Sequence, residues 1–140
     1  MPRKVLASGD PAAASSVMAD RLGSMSDEAD RTVVLDERER RFLRAALLDW
    51  GGPANPTDDL AVAMGFSSAA AIAREAWQLW EHIEAGHALS TDDWRRVLLA
   101  AEVVFASDVV GSGVEWASTS GLSDIESVAL LRRLQRKLPR

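Results

Sequence analysis

The stretch of this chain richest in side chains that could do chemistry runs from Glu102 to Asp124. It holds Glu102, Phe105, Asp108, Gly111, Ser112, Gly113, Glu115, Trp116 and Asp124. Asp108 follows Phe105 by three positions, so it borders the apolar stripe of a helix. Carboxylates beside apolar surface, followed by a glycine loop and a tryptophan, are the ingredients of a small pocket or a partner-binding lip. A buried carboxylate needs a partner, and Arg95, Arg96 or Arg132 is available to supply one. Glu102, Asp108, Glu115, Trp116 and Asp124 are therefore the candidate pocket or partner-binding residues. The competing reading is a charge-satisfied junction in which Asp108 or Glu115 caps a neighbouring helix.

Other chemistries find less support. The sequence has no cysteine, which excludes disulfides, thiolate metal sites and cysteine nucleophiles. No nucleophile, base and orienting group assemble into a catalytic set. Gly111-Ser112-Gly113 lacks the preceding strand and the lysine of a phosphate-binding loop. His82 and His87 stand five apart with Gly86 between them, which breaks the i, i+4 spacing of a helical zinc site. The expectation is a protein that is not an enzyme and that carries no cofactor and no metal.

Charge is distributed more tellingly than the net of −5 suggests. From Ala45 to Glu126 there are thirteen acidic residues against three basic ones, Arg74, Arg95 and Arg96. From Ser127 to Arg140 there are five basic residues and no acidic one. The middle of the protein is expected to project a negative field and the C-terminal helix a positive end. A basic helix end also complements the helix dipole, so the pattern has a purely solubilising reading too.

One segment resembles a known family. Leu60-Ala61-Val62-Ala63-Met64-Gly65-Phe66-Ser67 is similar to the first helix and turn of bacterial helix-turn-helix DNA-binding domains: a small residue, Gly four later, then an apolar residue and Ser. The resemblance covers about twenty of the 140 residues. It implies a recognition helix opening at Ser67 and a role in transcription. The sequence departs from the pattern where that helix begins, because the usual apolar anchor falls on Ala71 and Ile72 comes one place late. Only Arg74 on that helix is placed to meet a phosphate or base edge, and duplex binding takes several such contacts. Arg132, Arg133, Arg136 and Lys137 share one face of the last helix and complete the candidate nucleic-acid set.

These groups are positioned by helices. The spacing predicts an N-terminal arm over 1–35, with a short helix from Pro11 to Leu22 capped by Asp10, and a β-leaning run at Thr32–Leu35. A helical domain over 36–140 follows. Asp36 and Glu39 have capping-box spacing, and Phe42, Leu43, Ala46, Leu47 and Trp50 form one apolar face before Gly51-Gly52-Pro53. Thr57 is expected to cap a short helix, Asp58 to Met64. Ser67 or Ser68 is expected to cap a long one reaching about Ala85. Ser90 and Asp93 start the next, which runs to about Val109, and Ser123 with Glu126 starts the last, ending near Leu138. Such a pattern reads as an all-α fold, a compact orthogonal bundle of four to six helices with little or no strand.

No apolar run approaches the ~18 residues of a membrane span, and no secretory apolar segment follows Arg3 and Lys4. A cytoplasmic protein is expected, and the abundance of arginine and alanine suits a GC-rich bacterial source. The leading expectation is a non-catalytic interaction module that binds a basic protein partner through its acidic middle. Its size, acidity and lack of catalytic groups are those of an immunity-type inhibitor of a basic toxin. A DNA-binding regulator is the alternative, although nucleic acid is disfavoured by the acidic surroundings. Trp77 and Trp80, three apart on one helix, either both fill the core or offer a contact for a homo-oligomer.

Overall fold

The computed structural model describes residues 29–140, and its compact unit Arg31–Arg140 holds every element discussed below. The expected helix at Pro11–Leu22, and the arm apart from its last few residues, lie outside the described residues. Six α-helices follow: α1 (Glu37–Leu48), α2 (Asp58–Ala63), α3 (Ile72–Glu84), α4 (Thr91–Ala106), α5 (Trp116–Ser120) and α6 (Asp124–Lys137). Short 3-10 turns at Asp49–Gly51 and Gly113–Glu115 extend α1 and lead into α5. The expected all-α bundle is the observed fold, and no strand longer than a single bridge occurs among the described residues.

Helix α1 is the centre of the bundle and packs against α3, α4, α5 and α6. Its apolar face of Phe42, Leu43, Ala46 and Leu47 is fully buried, each large side chain contributing about 1.5–3 kcal/mol by leaving water. Phe42 meets Trp116 edge-on at 5.3 Å between ring centres, and Phe105 packs on the same tryptophan at 5.7 Å. Capping follows the sequence closely. Asp36 accepts the Glu39 amide while Glu39 accepts the Asp36 amide, and Ser123 with Glu126 repeats that reciprocal box on α6. Ser90 caps α4 by accepting the Asp93 amide, but the Asp93 carboxylate turns to Arg96 instead of closing a box.

Two helix boundaries differ from expectation. Helix α3 begins at Ile72, not at Ser67 or Ser68. Ser68 spends its hydroxyl on the Ala71 amide, and Glu75 takes both the hydroxyl and the amide of Ser67, so these serines stabilise a loop ahead of the helix. Helix α4 ends at Ala106, three residues short of Val109. There Ser107 turns extended and its hydroxyl accepts the amides of Val109 and Val110, which offers the backbone a competing partner. The chain then doubles back so closely that a Cβ at Gly111 would lie 2.5 Å from the Val103 carbonyl oxygen, hence glycine.

The β-leaning run Thr32–Leu35 forms no bridge itself; the residue before it does. Arg31 and Leu89 exchange antiparallel backbone hydrogen bonds of 2.8 and 2.9 Å, and the Trp94 indole donates to the Arg31 carbonyl. Val33 and Leu35 then lie against the core while Val34 faces out, the period-two alternation of extended chain.

Candidate functional site

Asp108 and Asp124, far apart in sequence, line the same open cleft of about 330 Å³. Phe105 and Ala106 at the end of α4 form one wall, Gly113 and Val114 another, and Asp124 opens α6 on the third. The shape depends on the loop between α4 and α5. Gly113 takes a left-handed conformation with φ of 39°, and a Cβ there would collide with the Asp108 carboxylate. Val114 in the cleft lining, and Val109 and Ile125 next to that lining in the chain, are each more than 80% exposed. Aliphatic side chains that far out of the core, interleaved with two carboxylates, make an acidic and apolar surface.

The loop is anchored from beneath by a residue the sequence does not single out. Asp49, buried at the end of α1, accepts hydrogen bonds of 2.6 Å from both the Ser112 and the Thr119 hydroxyls. That carboxylate fixes the glycine loop and α5 to the central helix, and no cation pairs with it among the described residues. Only an acidic residue at a helix end hints at the role, and its two donors are more than sixty positions away.

The remaining candidates are distributed differently. Trp116 forms no part of an exposed lip: it is fully buried, and its indole donates to the Ser127 hydroxyl at 2.7 Å. Its rigid ring is worth more as the keystone between α1, α4 and α6 than at the surface. Glu115 is exposed but outside the cleft lining. Glu102 lies elsewhere, accepting the Gln135 amide at 2.7 Å in a second cleft lined by arginines.

The basic stripe on α6 splits into two functions. Arg133 and Lys137 reach α1, where they clasp the buried Glu39 at 3.2 and 2.6 Å, and Arg133 also holds Asp36 at 2.5 Å. Burial pushes the Glu39 carboxyl up, but the Lys137 ammonium, the Asp36 amide and Arg133 outweigh it and hold the group below its ordinary value of 4.5. Asp36 is likewise held low, first by the Glu39 amide it accepts. Arg132 and Arg136, in contrast, face the second cleft, and Arg74 stands exposed on α3 outside that lining. Eight residues separate α2 from α3, whereas the helix-turn-helix motif joins its helices by a turn of about three or four.

Gly86, at φ of 79°, turns the chain so that His82 and His87 meet with their Nδ1 atoms 3.0 Å apart. Their five-residue spacing concealed this, because the helix ends between them. No group of three or more His, Asp, Glu or Cys side chains suited to a metal occurs among the described residues. Trp77 and Trp80 also part company: Trp80 is buried beneath the Arg40 guanidinium, and Trp77 is partly exposed. No helix among the described residues is long and apolar enough to cross a membrane. In comparisons with known proteins, no family model matches the chain, and neither a curated protein nor a solved structure gives a significant match.

Proposed function

We propose that this protein is a non-catalytic binding module that docks a basic protein segment on its acidic, apolar cleft. The observation that carries the reading is the convergence of Asp108 and Asp124 on one cleft, with Val114 of its lining and the chain neighbours Val109 and Ile125 standing in solvent. An arginine- or lysine-bearing segment with aliphatic side chains complements that surface in both charge and polarity. Complementary charge speeds encounter and sets register, while aliphatic burial holds the complex. The acidic middle of the chain extends the same field, and a cytoplasmic, bacterial setting as regulator or inhibitor of a basic protein accords with it.

What weighs against a DNA-binding reading is the division of the basic residues. Two of the α6 cations are committed to Glu39 and Asp36, and the loop before α3 is longer than the motif requires.

The test is capture from a native lysate at low and moderate salt, reading protein and nucleic acid together, with the paired variant Asp108→Lys/Asp124→Lys beside the wild type. A basic protein retained stoichiometrically by the wild type, released by salt and lost by that variant is the expected result. The control Asp58→Lys/Asp59→Lys, a charge reversal at the start of α2, should retain it. Equal loss with the control, or recovery of nucleic acid without protein, would overturn the reading.

A further inference from the structure

The second cleft, between α4 and α6, has the opposite electrostatic character. It encloses about 510 Å³, within the ordinary range for small-ligand sites. Arg95 borders it on α4, Arg132 and Arg136 on α6, and Arg140 just beyond, with Leu98 and Leu99 as an apolar floor. Four guanidinium groups thus face a single carboxylate, Glu102, on a chain whose net charge is −5.

The partners of these groups sharpen the picture. Glu102 is tied to Gln135, whose carbonyl oxygen accepts from Arg132 at 2.8 Å, so the amide separates the acid from the nearest cation. Among the described residues Arg95 is paired only with exposed Asp92, at 3.1 Å, an interaction that solvent screening leaves weak. Arg136 and Arg140 have no hydrogen bond or ion pair among the described residues. Counting Asp92 as well as Glu102 still leaves the cleft positive.

We infer that this cleft binds a small ligand bearing two or more phosphate groups, with Arg136, Arg132, Arg140 and Arg95 as its anchors and Leu98 and Leu99 beneath its less polar part. Arg132 and Arg136 stand one turn apart on α6, about 6 Å along the helix direction, and Arg140 follows in the extended chain past its end. Arg95 closes the cleft from the facing helix. All four cations are arginine and none lysine, the residue type whose planar fork pairs two donors with two phosphate oxygens. The concave shape favours a compact ligand over a duplex, whose backbone would also meet the acidic residues elsewhere on the surface. The inference is independent of the acidic cleft.

Titration calorimetry with inorganic pyrophosphate as probe tests it, comparing wild type with Arg132→Gln/Arg136→Gln and with Arg74→Gln. Both cleft arginines are solvent-exposed and lie outside the core, so the paired variant is expected to fold, which circular dichroism checks. The wild type and R74Q should bind pyrophosphate alike. The paired variant should bind at least about tenfold more weakly, the ratio that follows from losing charge-assisted hydrogen bonds. Failure of the wild type to bind pyrophosphate, or equal binding by the folded paired variant, would overturn the inference. So would binding of a short DNA duplex or of polyglutamate that pyrophosphate does not displace.

Discussion

The clasp between α1 and α6 predicts an asymmetry that can be measured directly. Glu39 is 1% exposed, whereas its partners Arg133 and Lys137 are 44% and 36% exposed. Replacing Glu39 by Gln removes the charge from the buried side, and the two cations can then turn to water. The cost is the lost charge-assisted bonds, about 1–2 kcal/mol. Replacing both cations by methionine keeps their apolar stems but leaves a buried carboxylate with only the Asp36 amide. Removing the partner of a buried charge costs about 3–5 kcal/mol, and the half-open rim places this case near 3. The pH dependence should reverse as well. In the wild type Glu39 is held below 4.5, so its contribution to stability is present above that value and is lost as pH falls through the depressed one. In Arg133→Met/Lys137→Met, burial without cations raises the carboxyl, so that variant should gain stability between neutral pH and about pH 5 relative to wild type. Urea unfolding followed by the fluorescence of the five tryptophans reads both effects. If Glu39→Gln proves the more destabilising change, or the double variant loses stability on acidification as the wild type does, the reasoning fails.

Two further substitutions probe how the acidic cleft is held. Asp49→Ala should cost about 1–3 kcal/mol, because the buried Ser112 hydroxyl loses its acceptor. Amide exchange across Gly111–Glu115 should accelerate with it, and unchanged exchange there would show that Asp49 does not anchor the loop. Ser127→Ala leaves the buried Trp116 indole N–H without its acceptor, a loss of about 1–3 kcal/mol expected in thermal unfolding. No change in melting temperature would mean that the indole finds another acceptor.

Local chemistry made much of this protein readable from its residues alone. Asp36 with Glu39, Thr57, Ser90 and Ser123 with Glu126 all cap the helices they precede, because a cap acts within three residues of itself. The apolar stripe of α1 likewise points to the core, since helical periodicity alone decides which side chains share a face. Serine at 67 and 68 misled for a related reason: the same hydroxyl that caps a helix can hold a loop, and the choice fell to Glu75, eight residues beyond Ser67.

What the sequence could not decide were pairings between distant segments. Arg132 and Arg133 are neighbours, yet adjacent helical positions point about 100° apart, so one lines a cleft and the other clasps α1. Asp108 and Asp124 were visible as candidates, but only the loop pinned by Asp49 brings them to one cleft. Trp116 reads from the sequence as part of a pocket or partner-binding lip, and its packing on Phe42 and Phe105 takes it into the core instead. Each outcome depends on contacts between residues far apart in the chain, and the position of a side chain in the sequence carries its chemistry but not the identity of the surface it will meet.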